Sequence, residues 1–309
     1  MTTPQTTPTA AANPAAPRAA GPLLALLGSE IGRVSHRLLF RILALLFLGG
    51  IVVVSVIAFF AHAKSSLAGV QVSPGAIAYA GSKPPYVAAD LLAPVALSVL
   101  VGLSLLGFVM GASAGGADWS SRSMALQLLW EPRRFRLLLM KWLAVVIDVV
   151  LLGVVSLALA LVLGTVTASL RGTWQGMDSG AWHDVLSWSL RGFVLTIIAV
   201  TLGYAISVLV RNTGASLGVA FVYFAIVESI TEVVLNKYEP FRFLLGPNIG
   251  AWLSPGGVDF PGREQTAADG SMYSNVVHLS SIHGLTVLLL YALLVGLPAI
   301  WSFTRRDVA

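Results

Sequence analysis

The chain has 309 residues, of which 56% are hydrophobic and 11% are charged, and its mean hydropathy is +0.83. A soluble domain carries about 25% charged residues, so this composition excludes a soluble fold and predicts one membrane domain. The net charge of +5 does not indicate nucleic-acid binding, because Lys and Arg form no dense patch. Since the chain has no Cys, disulfides and thiolate metal sites are excluded.

The N-terminal region divides into a tail and an amphipathic segment. Residues 1–21 are rich in Thr, Pro and Ala, which predicts a disordered tail. Residues 22–41 carry apolar and charged side chains on separate helical faces, which predicts an interfacial helix whose arginines meet anionic lipid. The alternative is that this segment is only the cytoplasmic end of the first span. The apolar face comprises Leu27, Ile31, Val34 and Leu38, and the charged face Glu30, Arg33, Arg37 and Arg41.

Six apolar segments follow, each long enough to cross about 30 Å of hydrocarbon. The sequence therefore predicts an all-α integral membrane protein in which residues 42–309 form a domain of six transmembrane helices. The predicted spans are residues 42–62, 90–112, 141–165, 187–210, 214–235 and 283–303.

The distribution of Lys and Arg predicts the orientation of these spans. If the N-terminus is cytoplasmic, twelve basic residues lie inside and seven lie outside. Cytoplasmic loops are enriched in Lys and Arg, so both termini are expected in the cytoplasm. Arg outnumbers Lys 15 to 4 in an Ala- and Gly-rich chain, which indicates a bacterial source and hence a bacterial cell membrane.

The longest predicted outer loop covers residues 236–282. It combines four prolines with apolar patches that are too short to span a membrane. Short re-entrant helices are therefore expected before the last span, where protein or water satisfies the irregular backbone.

Glycines recur at every fourth position in two spans. Gly107, Gly111 and Gly115 predict close helix packing, because small residues let membrane helices approach each other. Gly214 and Gly218 follow the same spacing in the fifth span. For this second pair the alternative is that Gly is simply common in membrane helices.

Four ionisable residues lie within or at the ends of the predicted spans and are candidates for a pathway through the membrane. Burying a charge in hydrocarbon is costly, so such residues are functional candidates by default. Asp148 is either a proton relay or a solvated or Arg-paired carboxylate near the cytoplasmic end. Glu228 and Glu232 either line an outward vestibule or cap the re-entrant region, and Arg191 either pairs with them or snorkels to the interface.

The cytoplasmic loop of residues 113–140 is too long for a simple turn. Its pattern predicts a helix from Asp118 to Trp130, a break at Pro132 and then three arginines. Trp119 and Trp130 are the kind of anchors that protein interfaces use. The alternative is a lipid-facing amphipathic loop with aromatic anchors.

This loop resembles that of the type-2 ATP-binding-cassette (ABC) transporter permease family, and the resemblance extends over nearly the whole chain after residue 21. Arg122-Ser123 stands where the family has Gly-Thr, and Asp118 stands where it usually has Glu. The amphipathic N-terminal segment, the six spans and the long last outer loop also resemble that family. The loop residues that follow the family's order are Asp118, Ser123, Leu128, Leu129, Pro132, Arg134 and Lys141.

The resemblance implies the membrane subunit of a bacterial exporter. It implies a homodimer of permease subunits bound to two ATPase subunits, which hold ATP and Mg, with transport by alternating access. The chain itself contains no G-x-x-x-x-G-K-[ST] and no catalytic constellation, so no cofactor, metal or enzymatic activity is expected in it. The implied ATPase-coupling residues are Asp118, Trp119, Arg122, Ser123, Trp130, Arg133, Arg134 and Arg136.

Two other functions remain open from the sequence. A non-transporting membrane sensor or scaffold subunit would have the same fold and ATPase partner. A lipid-modifying membrane enzyme would need polar residues clustered at one membrane face, whereas the acids and histidines here are scattered. The apolar outer loops favour a hydrophobic or amphipathic substrate for a permease.

Overall fold

The structure is a computed structural model. It describes residues 23–62, 86–120, 123–130, 133–231, 239–266 and 272–305. The predicted disordered tail, residues 1–21, lies outside the described residues.

Nine α-helices are present in the described ranges. They are α1 (Leu23–Ser35), α2 (Leu38–Ala61), α3 (Ala88–Ser120), α4 (Ser123–Trp130), α5 (Arg134–Arg171), α6 (Ser179–Val210), α7 (Thr213–Val222), α8 (Leu245–Leu253) and α9 (Ser281–Arg305). A π-helical segment, Tyr223–Glu228, extends α7, and a 3-10 helix, Glu239–Phe243, precedes α8. The described residues also form two strand pairs: parallel β1 (Tyr86–Val87) with β2 (Gly172–Thr173), and antiparallel β3 (Val258–Thr266) with β4 (Met272–Leu279).

Six helices among the described residues are long and apolar enough to cross a membrane, which confirms the predicted all-α membrane fold. These helices are α2, α3, α5, α6, α7 with its π-helical extension, and α9. Each contains a stretch of 18 residues with at most two charged side chains. A helix satisfies its backbone hydrogen bonds internally, as the hydrocarbon core of a membrane requires.

The predicted interfacial helix of residues 22–41 is divided in two. Helix α1 ends at Ser35 and α2 begins at Leu38, so the last residues of the predicted segment belong to the first span. Arg37 has an extended backbone, with φ −64° and ψ 131°. Its guanidinium donates to the carbonyl oxygen of Ser113 at 3.2 Å, which fixes this corner against α3.

Helices α3 and α6 make the most extensive helix contact, and the glycine stripe of α3 lies in it. A Cβ atom at Gly107 would lie 2.9 Å from the Val200 side chain, and one at Gly111 would fall on the Val200 carbonyl oxygen. A Cβ at Gly115 would fall on the Ser207 hydroxyl. The stripe therefore lets the two backbones approach closely.

The second glycine pair has a different environment. A Cβ at Gly214 would meet only the side chain of Asn212, at 3.4 Å, and one at Gly218 would meet nothing within 4 Å among the described residues. These two glycines do not lie in a tight helix contact within the described part of the chain.

The bundle has two distinct ends. One end, called here the charged end, contains the ion pairs of Asp118 with Arg37 and Lys141. It is formed by α1, α4, the last turns of α3 and α6, and the first turns of α2 and α5. The end of α9 also lies there, because Phe303 contacts Trp119. The distal end carries the β1–β2 pair, α8 and the β3–β4 hairpin. Both ends of the described chain thus lie on one side of the bundle, as six spans require. The cytoplasmic location of the charged end stays a prediction.

The segment before the last span contains the expected short helices and an additional hairpin. Helix α8 packs on α9 and α6. The β3–β4 hairpin, with Val258 opposite Leu279, was not predicted. Its register shifts between Pro261 and Glu264, where proline lacks the N–H that a regular ladder needs.

Candidate functional site

A buried ion cluster lies at the charged end and consists of Glu30, Arg37, Asp118 and Lys141. Asp118 and Lys141 form a direct ion pair. Arg37 Nη2 donates to Asp118 Oδ1 at 3.2 Å, and Lys141 Nζ lies 3.5 Å from Glu30 Oε2. The cluster therefore joins α1, the α1–α2 corner, the end of α3 and the start of α5.

Three of the four members of the cluster are almost fully removed from solvent, and Arg37 is half-buried. Glu30, Asp118 and Lys141 are 3%, 5% and 4% exposed. Buried charges are tolerated when each has a counter-charge, and here two carboxylates face two cations, with Arg33 Nη1 a further 3.1 Å from Glu30 Oε1. Removing one member would leave another uncompensated.

The cluster includes two charged residues of the predicted amphipathic segment. Glu30 and Arg37 were predicted on one charged helical face whose arginines meet anionic lipid, and in the structure these two residues contact Lys141 and Asp118 of the bundle. Periodicity separates two faces of a helix without indicating which face meets the bundle. Glu30 of α1 pairs with Lys141 of α5, and Arg37 at the α1–α2 corner pairs with Asp118 of α3, so both find partners that lie far away in the sequence.

Helix α4 is attached to the ion cluster at its first residue. Ser123 Oγ donates to the backbone and side-chain oxygens of Asp118 at 3.4 and 3.5 Å, and Gln127 Nε2 donates to Ser123 Oγ at 3.3 Å. Met124 is 4% exposed and, with Leu128, packs on the core. Leu129 is 80% exposed, so α4 presents an apolar residue outward from a fixed base.

Trp119 is partly buried and contacts α9 and the end of α6, and its role as a docking anchor stays a prediction. The Trp119 and Phe303 rings pack edge to face with their centroids 6.1 Å apart, and the Arg211 guanidinium lies 4.4 Å from the centroid of the Trp119 ring. Of the other predicted coupling residues, Arg133 is exposed, Arg134 and Arg136 are half-buried, and Arg122 and the side chain of Trp130 lie outside the described part of the chain.

Two of the predicted intramembrane charges hold opposite ends of the short helix α8. The Glu228 carboxylate accepts the N–H of Gly246 in the first turn of α8. Arg191 Nη1 donates to the carbonyl oxygens of Trp252 and Ser254 at 2.6 and 3.4 Å, at the C-terminal end. A helix dipole favours an anion at its N-terminus and a cation at its C-terminus. Arg191 and Glu228 thus act on the same helix, at different ends.

The Arg191 end of this contact is reciprocal. The Trp252 indole N–H donates to the Arg191 carbonyl oxygen at 3.0 Å, and the Arg191 guanidinium lies 5.0 Å from the indole ring centroid. Gly284 of α9 allows the backbone of α8 to approach, because a Cβ there would lie 2.6 Å from the Asn248 carbonyl oxygen. Helix α8 is therefore fixed to both α6 and α9.

Replacing Glu228 by Gln should loosen α8 while leaving the bundle folded. The side-chain shape is kept but the negative charge at the helix N-terminus is lost, an effect of about 1–2 kcal/mol in a buried setting. Hydrogen–deuterium exchange should show faster exchange of the amides of residues 245–253. The matched control is Asp184→Asn, which removes a solvent-exposed carboxylate from α6 and should leave exchange in α8 unchanged. Equal exchange of the α8 amides in the two variants would contradict the role of Glu228.

Asp148 lies on α5 about two turns from Lys141 and is 7% exposed. Its Oδ2 atom has no hydrogen-bond partner among the described residues. The structure thus places it apart from the ion cluster. Glu232, the other acid of the predicted pathway, lies outside the described residues.

These features define an integral membrane protein of six spans with a charged end built around a buried ion cluster. Within the described ranges, no three His, Asp or Glu side chains come together as metal ligands. Residues 50–309 match the model of a family described as "Protein of unknown function (DUF2705)", and the chain belongs to that family. A comparison with curated proteins found no match.

Proposed function

We propose that this chain is the permease subunit of an ATP-driven ABC exporter. The observation that carries the proposal is the buried ion pair between Asp118 and Lys141. These are the first and last residues of the loop pattern that resembles type-2 ABC permeases. The pair joins the two helices that flank the loop, α3 and α5, and α4 lies next to it at the charged end of the bundle.

The ion cluster gives α4 a mechanical connection to the spans. Ser123 joins α4 to Asp118, and Asp118 is bonded to α5 through Lys141 and to the α1–α2 corner through Arg37. A displacement of α4 by an ATPase would move these helix ends together, because separating buried opposite charges is costly. Alternating access then follows from rigid movement of α3 and α5 relative to their neighbours.

The proposal includes the partners that the sequence resemblance implies. Two ATPase subunits carry ATP and Mg, α4 acts as coupling helix, and a second copy of this chain completes a homodimer in a bacterial cell membrane, with both termini in the cytoplasm. Spans α2 and α7 bury the smallest share of their residues within the chain. These apolar surfaces are available to lipid, a hydrophobic or amphipathic substrate and the second copy.

Leu129→Glu tests whether α4 is the ATPase-docking helix. The side chain is 80% exposed, so the substitution should preserve folding while placing a charge in an apolar contact. Capture of the ATPase subunit should fall by about tenfold or more, which corresponds to at least about 1.4 kcal/mol. The measurement is the ratio of ATPase to permease after affinity purification in mild detergent.

Leu38→Glu is the matched control, because Leu38 is 73% exposed at the same end of the bundle but belongs to α2. It should capture the ATPase as the natural chain does. If Leu129→Glu captures as much ATPase as Leu38→Glu, α4 is not the docking helix.

A further inference from the structure

A groove of about 300 Å³ lies on the distal half of the bundle, between α6 and α8. Its walls combine apolar side chains with the guanidinium of Arg191 and the imidazole of His183. The residues that matter for its chemistry are Leu186, Ser187, Leu190, Arg191, Val194 and Trp252.

Arg191 has hydrogen-bonding capacity left for a ligand in the groove. Within the described part of the chain, both of its side-chain hydrogen bonds come from Nη1, to the carbonyl oxygens of Trp252 and Ser254. A guanidinium has five N–H donors. Nε and Nη2 can therefore donate to an acceptor in the groove while Nη1 holds α8.

Among the described residues, no carboxylate forms an ion pair with Arg191. The nearest acid along α6, Asp184, is solvent-exposed and lies 3.9 Å from His183 Nδ1. Backbone carbonyls at the end of α8 offset only a partial charge. A guanidinium in this setting favours an anion, and its planar donors suit a phosphate.

The remaining wall of the groove suits a hydrocarbon chain. Leu186, Leu190 and Val194 are spaced four residues apart, so they lie on one face of α6. Leu186 and Leu190 are 59% and 57% exposed, and this apolar surface continues directly past Arg191. A ligand that satisfies both parts of the groove has a phosphate and a long apolar chain.

We propose that this groove binds one anionic phospholipid of the surrounding membrane. The phosphate accepts hydrogen bonds from Arg191, and an acyl chain lies along Leu186, Leu190 and Val194. The bound lipid thereby covers the α6–α8 contact that Arg191 and Trp252 hold together. This inference depends on the six-span fold and is independent of the exporter assignment.

Native mass spectrometry of the full chain tests the proposal. The protein is released from micelles that contain equal amounts of phosphatidylglycerol and phosphatidylcholine with identical acyl chains. The natural chain should retain phosphatidylglycerol about tenfold more than phosphatidylcholine, a ratio that corresponds to about 1.4 kcal/mol. Leu190→Trp fills the groove without altering Arg191 and should lose most of the bound phosphatidylglycerol. Leu151→Trp changes a leucine of equal exposure, 56%, on α5 away from the groove, and should bind as the natural chain does.

Arg191→Gln separates the headgroup contact from the chain contact. It should abolish the preference for phosphatidylglycerol while leaving weak binding of both lipids, and Arg191→Lys should retain part of the preference because the charge remains. Equal retention of the two lipids by the natural chain would overturn the proposal. Undiminished phosphatidylglycerol binding by Leu190→Trp would overturn it as well.

Discussion

Replacing Lys141 by Met should lower the free energy of unfolding by about 3–5 kcal/mol, the cost of removing one partner from a buried ion pair. Lys141 is 4% exposed and contacts both Asp118 and Glu30. Methionine retains the apolar stem of the side chain but not its charge, so two buried carboxylates would share the cations of Arg37 and Arg33. Reversible unfolding in mixed micelles, followed by far-UV circular dichroism, measures the change.

Two further variants separate charge imbalance from lost packing. Removing both charges of the central pair, in Lys141→Met with Asp118→Leu, should restore much of the stability, because no uncompensated partner of that pair remains. Arg33→Met removes a cation whose side chain is 42% exposed, and such a pair contributes about 0–1 kcal/mol. If Lys141→Met is no less stable than Arg33→Met, the cluster does not hold the charged end together.

Gly111→Ala should destabilise the protein by about 1–3 kcal/mol through overpacking. The added Cβ would fall on the Val200 carbonyl oxygen and lie 3.1 Å from the Tyr204 nitrogen. Both are backbone atoms of α6, so no side-chain rotation relieves the clash and the two helices must separate. The same unfolding assay measures the effect.

Gly218→Ala is the matched control for Gly111→Ala. Both glycines lie inside helices, but a Cβ at Gly218 meets no described atom within 4 Å. Alanine is favoured over glycine in a helix by about 1 kcal/mol, so Gly218→Ala should be neutral or stabilising. Equal destabilisation by the two substitutions would show that α3 and α6 tolerate separation at Gly111.

The six spans could be predicted from the sequence because long apolar runs have few stable structures in a membrane other than helices. The short helix after α3 was predicted only in part, since the sequence pattern placed one helix from Asp118 to Trp130, whereas α3 continues to Ser120 and α4 covers Ser123–Trp130. The predicted break at Pro132 lies outside the described residues. The spacing of Gly107, Gly111 and Gly115 identified the stripe but not its partner. The partner helix, α6, became known only from the structure.

The ion cluster could not be assembled from the sequence because its members come from distant segments. Glu30 belongs to the predicted amphipathic segment and Lys141 to the start of the third predicted span, and no feature of the local sequence indicates that the two residues form an ion pair. Arg191 and Glu228 were considered as partners of each other, whereas each contacts one end of α8. The order of charges along a chain does not specify which helix ends lie together.

The β3–β4 hairpin was missed because its residues lie in a segment with several prolines. Proline lowers the strand signal, and the prediction followed the apolar patches of the same region. The consecutive valines Val276 and Val277, next to His278, were the available signal, since β-branched residues favour strands. Asp259 and His278 now face each other across the hairpin, with Oδ1 and Nδ1 2.6 Å apart.

The exporter proposal is tested most directly by affinity purification of the tagged full-length chain in mild detergent. The co-purifying proteins are identified, and the purified sample is assayed for ATP hydrolysis. The proposal predicts a stoichiometric soluble ATPase with vanadate-sensitive turnover that rises when substrate is added. A partner ATPase whose turnover never responds to any amphipathic substrate would favour the sensor or scaffold function. A chain that purifies without an ATPase and yields no ATP hydrolysis would contradict the proposal.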